Sequence, residues 1–107
     1  MQVETTAGRS TAEFRVEGAE AQLLQHLRSG LAAQARFTLV AVQAGEVRLS
    51  ARPNWATWGA RILLRIAPSG EAASTVRARW EPAVPTTAVT WGQGARDLRA
   101  LEQLLQG

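Results

Sequence analysis

Apolar and polar residues alternate along Ser10–Glu17. Ala12, Phe14 and Val16 share one face and Glu13, Arg15 and Glu17 the other, the two-residue period of a half-buried strand. Gly18 interrupts it. Over Ala19–Gln34, Leu23, Leu24, Leu27 and Leu31 fall at helical spacing, which predicts an amphipathic helix. Ser29-Gly30 either ends that helix early or weakens it by about 1 kcal/mol. Phe37–Gln43 is a β-rich run that is apolar on both faces, so its register stays open between a central strand and a one-residue slip. Ala44-Gly45 is a turn signal. Glu46–Arg52 alternates again, with Val47, Leu49 and Ala51 opposite Arg48, Ser50 and Arg52, and the two runs read as a hairpin.

Pro53-Asn54 breaks the pattern. From Trp58 to Ala67, one face holds Trp58, Ala60, Ile62, Leu64 and Ile66, and the other Arg61, Leu63 and Arg65. Pro68-Ser69-Gly70 is a turn. Thr75–Glu81 turns Val76, Ala78 and Trp80 inward and Arg77 and Arg79 outward. Pro82 and Pro85 end the sheet, since proline cannot donate to a ladder. Thr86–Gln106 then places Ala88, Trp91, Ala95, Leu98, Leu101 and Leu105 on one helical stripe, with Thr86 or Thr87 as the cap.

Short turns between consecutive strands imply an antiparallel meander, and both helices must bury their stripes. The expected fold class is α+β: a two-layer domain of order β-α-β-β-β-β-α, with a five-stranded antiparallel sheet and two helices packed on one face. A chain of 107 residues supports one modest core and not two. Residues 1–9 are read as a flexible N-terminus and residues 10–107 as the single domain. The expected core comprises Phe14, Trp58, Ile62, Leu64, Trp80, Trp91, Leu98 and Leu101.

Two phrases resemble each other, Thr57-Trp58-Gly59-Ala60-Arg61 and Thr90-Trp91-Gly92-Gln93-Gly94-Ala95-Arg96. The first opens a strand and the second lies in the expected helix, so they are not a duplicated unit. Gly92 and Gly94 each cost about 1 kcal/mol inside a helix, which close approach to a large sheet residue, Trp58 or Trp80, would offset. Gly92-Gln93-Gly94 lacks the third glycine of a dinucleotide fingerprint and the Gly-Lys-Ser/Thr ending of a P-loop.

The order β-α-β-β-β-β-α resembles the TATA-binding-protein-like fold, whose larger relatives include the helix-grip (START/Bet v 1-like) domains. Thr57-Trp58-Gly59 at a strand start and Trp91-Gly92 late in the chain also resemble a loose group of small uncharacterised bacterial proteins. Members of that fold include DNA-binding saddles and lipid-transfer domains, so the resemblance implies an architecture and not an activity.

Composition narrows the chemistry. Cys is absent, which removes thiolate catalysis, disulfides and cysteine-ligated metals. The longest apolar stretches fall far short of the roughly 20 residues of a bilayer span. No basic region followed by an apolar core opens the chain, so a cytoplasmic location is expected. The net charge is +3, and all 12 basic residues are Arg. Arginine's planar fork suits carboxylate and phosphate. His26 stands near the edge of its helical stripe with no acid at a useful spacing. Asp97, between Arg96 and Arg99, reads as part of a solvated charge cluster. No catalytic constellation, cofactor site or metal site emerges, and a non-enzymatic module is expected.

One surface does stand out. Arg48, Arg52, Arg61, Arg65, Arg77 and Arg79 project from three successive strands onto the face away from the helices, with Leu63 among them and Trp55 in the adjoining loop. If the first strand pairs with the last, as the resembling fold implies, Glu13 and Glu17 neutralise Arg77 and Arg79. The expected function is an interaction module that self-associates or binds a protein through this face, because Trp and Arg anchor interfaces. The first alternative is nucleic acid on the same face, with arginines on phosphates and Trp55 stacked on a base. The second is an apolar ligand between the sheet and the C-terminal helix, a space that Trp58, Trp80 and Trp91 are expected to fill.

Overall fold

A computed structural model describes residues 1–53, 58–70, 72–84 and 92–107. The chain begins with a hairpin. β1 (Val3–Thr6) and β2 (Arg9–Glu17) pair antiparallel, with Thr6 opposite Arg9. The two residues between them, Ala7 and Gly8, both have positive φ, 52° and 81°, as a tight I′-type connection requires. The sheet therefore has six strands, not the expected five, and the additional strand lies in residues 1–9, read from sequence as a flexible N-terminus. β1 carries one apolar residue, Val3, so no alternation announces it.

β2 follows the predicted alternation, with Ser10, Ala12, Phe14 and Val16 buried and the residues between them exposed. Helix α1 (Glu20–Ala32) crosses the sheet and buries Leu23 and Leu27. Its N-cap, Ala19, offers no side-chain oxygen. Instead the first-turn carboxylate of Glu20 accepts a hydrogen bond from the Gly45 N–H at 2.8 Å, fixing the helix start to a hairpin turn. β3 (Phe37–Gln43), β4 (Glu46–Ala51), β5 (Ala60–Pro68) and β6 (Ala73–Pro82) form the meander. The strand order β1-β2-β6-β5-β4-β3 places β2 beside β6. β3 is an edge strand with a register shift between Leu39 and Ala41. That irregularity resolves the ambiguity of its two apolar faces: Val40 at the shift is exposed.

Helix α2 (Gln93–Gln106) lies with α1 on one face of the sheet and buries Leu98, Leu101 and Leu105. It starts later than the predicted Thr86. Its N-cap is Gly92 in the left-handed region, φ 74°, and the proposed caps Thr86 and Thr87 lie outside the described residues. Gly94 is inside the helix for the anticipated reason. A Cβ there would collide with the Ser10 side chain and reach 3.0 Å from the Trp80 ring, so glycine lets α2 settle directly on β2 and β6. Gly30 stays within α1, where a Cβ would run into the Leu104 side chain of α2.

Phe14, Ile62, Leu64, Trp80, Leu98 and Leu101 form the core as expected, with Trp80 fully buried. Trp58 does not join them. Its side chain is 75% exposed, because β5 begins only at Ala60 and Gly59 intervenes with φ 100°. That turn of the backbone breaks the strand parity that would have aimed Trp58 inward. A Cβ on Gly59 would approach the Ala51 carbonyl oxygen to 2.9 Å, so the site is closed to other residues on two counts. Trp91 lies outside the described residues.

Asp97 also departs from expectation. It is 3% exposed and takes the Arg36 guanidinium as a two-point pair, Nη2 to Oδ2 at 2.9 Å and Nε to Oδ1 at 3.3 Å. Its oxygens further accept the Trp80 Nε1–H at 2.9 Å and the Gln93 side-chain amide at 2.8 Å. The nearby Arg96 turns to Gln93 instead, at 3.0 Å. Asp97 is thus the polar tie between α2, β6 and the entry to β3, not a solvated surface charge. A carboxylate taken out of water needs such saturation.

Candidate partner-binding face

The sheet face opposite the helices is open, and strand register sets its side chains in rows. One row runs Glu46, Arg65, Arg77, Glu13 across β4, β5, β6 and β2. The next runs Arg48, Leu63, Arg79, Thr11, Glu4, ending on β1. A third runs Ser50, Arg61, Glu81. Like charges directly opposite each other are unfavourable on neighbouring strands, and Arg65 faces Arg77. A carboxylate on the far side of each offsets this: Glu46 lies 3.5 Å from Arg65 Nε and Glu13 lies 3.7 Å from Arg77 Nε.

The expected set is therefore largely brought together. Arg48, Arg61, Leu63, Arg65, Arg77 and Arg79 share the face, with Leu63 half-buried at its centre. Arg52 does not belong to it by register. β4 ends at Ala51, and the Arg52 backbone pairs with Arg36: its N–H donates to the Arg36 carbonyl at 2.9 Å, and its own carbonyl accepts from Arg36 Nη1. Trp55 lies outside the described residues. The expected neutralisation by Glu13 and Glu17 holds for Glu13 only. Glu17 pairs in register with Ala73, and Arg79 approaches Glu81 of its own strand at 3.6 Å. Arg48 and Arg61 have no carboxylate within 4 Å among the described residues.

A groove of about 590 Å³ opens on this face, lined by Leu63, Arg65, Arg77, Arg79, Glu13 and Glu4, with Gln2 and Thr11 completing one wall. Reading the sequence missed Gln2 and Glu4, because the strand that carries Glu4 and follows Gln2 was not recognised; the available signal was Ala7-Gly8 set between the Thr-rich ends of two short runs. On the other side of the sheet, the space between strands and helices is occupied by Trp80, Leu23, Leu27, Leu64, Leu98 and Leu101, all fully buried. His26 turns away from both regions, its Nδ1 sitting 3.1 Å from the Leu105 carbonyl oxygen.

Among the described residues there is no cluster of three His, Cys, Asp or Glu fit to hold a metal, and no helix is long and apolar enough to cross a membrane. Comparison with protein-family models and with curated proteins finds no match.

Proposed function

We propose that this protein is a non-enzymatic interaction module that docks a protein partner on its open sheet face. The observation that carries this reading is the composition of the groove. Three arginines surround a half-buried leucine, and carboxylates are interleaved among them. Arginine around an apolar centre is the make-up of an interface anchor. The interleaved Glu4, Glu13, Glu46 and Glu81 set this face apart from a nucleic-acid track, where cations follow the phosphates without opposing charge. The order β2-α1-β3-β4-β5-β6-α2, with β2 beside β6, supports reading the core as a TATA-binding-protein-like unit extended by one hairpin strand.

Site-specific photocrosslinking tests the proposal. Benzoylphenylalanine in place of Leu63 should yield a discrete protein adduct in cells, whereas the same group in place of Arg28, exposed on α1, should not. An adduct of twice the chain's mass identifies self-association. Crosslinks to nucleic acid from position 63, or the same adducts from both positions, would sink the reading.

A further inference from the structure

We propose that the groove on the open face recognises carboxylates: its occupant is a partner segment with acidic residues around an apolar one, not a second copy docked through the same face. This deepens the proposed partner-binding reading and rests on it.

The molecule itself shows what a saturated arginine looks like. Arg36 meets Asp97 fork to fork, at 2.9 and 3.3 Å, the two-point geometry that guanidinium and carboxylate prefer. The groove arginines have nothing comparable. The closest carboxylates to Arg65, Arg77 and Arg79 are reached through Nε at 3.5, 3.7 and 3.6 Å. Among the described residues none of the three donates a hydrogen bond to protein. Their side chains are 65%, 75% and 59% exposed. Three forks with uncommitted donors thus converge on one groove, two of them from directly opposed positions, Arg65 and Arg77. Glu46 and Glu13 offset the charge of that pair from its outer sides but leave the forks unbonded, and an entering carboxylate takes up the free donors between them.

The surroundings select among anions. Leu63 lies opposite Arg79 and between Arg61 and Arg65 on its own strand, which gives an apolar side chain a place among the cations. Carboxylates stand on both flanks, Glu46 beyond Arg65 and Glu13 and Glu4 beyond Arg77 and Arg79. A polyphosphate chain running across the groove would meet them on either side. A peptide with acidic residues at its centre and neutral or basic residues at its ends would not. A volume of about 590 Å³ is in the range that accommodates a few side chains. A second copy fits poorly. A two-fold axis through the groove sets the arginine cluster on its own image, cation against cation.

The test is a titration of the full chain at low salt with the blocked octapeptide Arg-Ser-Glu-Leu-Glu-Asp-Ser-Arg. The controls are the same peptide with Gln and Asn in place of its acids, and an oligothymidylate. The acidic peptide should bind saturably, the amide peptide at least tenfold more weakly, and the oligothymidylate more weakly than the acidic peptide. Arg77→Ser and Arg79→Ser should each weaken the acidic peptide about tenfold, the loss of one charge-assisted contact, while costing no more stability than the loss of one exposed ion pair. Arg28→Ser should leave binding unchanged. The inference is overturned if the acidic peptide does not bind, if the amide peptide binds equally, if both groove variants bind as the parent does, or if the oligothymidylate binds more tightly. Sedimentation should report a monomer. A dimer that Leu63→Glu dissociates would overturn the inference while leaving the open face an interface; loss of that broader reading shows separately, as the absence of a specific adduct from position 63.

Discussion

Arg65 and Arg77 occupy directly opposite positions on neighbouring strands, and each leans on a glutamate on its outer side, Glu46 and Glu13. The sheet tolerates the arginine pair because the row as a whole is neutral. Glu13→Gln and Glu46→Gln should therefore each cost on the order of 0.2–1 kcal/mol, the range of exposed ion pairs. The cost should shrink toward zero in about 1 M salt, where the screening length is only about 3 Å. Chemical denaturation with urea at low and high salt measures it. A cost independent of salt would mean that the glutamates act by packing and not by charge.

Asp97 predicts a much larger effect. Its two oxygens serve Arg36, Trp80 and Gln93 at once, so removing the carboxylate takes the counter-charge from Arg36, which keeps its bond to the Arg52 carbonyl, and the acceptor from the Trp80 indole N–H. Asp97→Ala should destabilise the domain by about 3–5 kcal/mol, as breaking a buried pair does. Asp97→Asn keeps an oxygen for one donor and should cost less. A change below about 1 kcal/mol in thermal or urea unfolding for the alanine variant would show that water replaces the network at little expense.

These two cases show which parts of the molecule a linear reading can reach. Strand parity is a local property, so Arg48, Arg61, Arg65, Arg77 and Arg79 could be assigned to one face from alternation alone, and Phe14, Ile62, Leu64 and Trp80 to the other. Asp97 could not be placed the same way. Its partners lie 61 and 17 residues away along the chain for Arg36 and Trp80, and flanking Arg96 and Arg99 made a surface cluster the natural local inference. β1 escaped because an exposed edge strand need not alternate. Parity fails for Trp58 because Gly59, at φ 100°, uncouples it from the strand that follows. In each instance a tertiary relationship or one special backbone angle overrode the local pattern.

Glycine placement in the helices supplies a test of close packing. In isolation, Gly→Ala in a helix gains about 1 kcal/mol. At Gly94 that gain should be overwhelmed, since the new methyl group meets the Ser10 side chain and the Trp80 ring, both held by the sheet. A net loss of about 1–3 kcal/mol is expected for such overpacking, with partial recovery in the Ser10→Gly background. Gly30→Ala meets chiefly the outer methyl of Leu104, which can turn aside, and should be far milder. Equal effects at the two positions would mean that α2 does not press on β2 and β6 as closely as its geometry implies.

Trp58 and Trp80 should separate cleanly. Strand parity aims both at the core; one is 75% exposed and the other fully buried. Trp80→Ala removes a large buried side chain and a donor to Asp97, and should cost about 3–5 kcal/mol. Trp58→Ala should change stability by less than about 0.5 kcal/mol, as for most surface positions. Acrylamide quenching of the native protein provides an independent measure. Trp58→Phe should remove a readily quenched, red-shifted component of the emission, while Trp80→Phe should remove a blue-shifted component that quenches slowly. If Trp58→Ala instead costs more than about 2 kcal/mol, its indole is packed in solution, and Gly59 acts to direct it inward and not to release it.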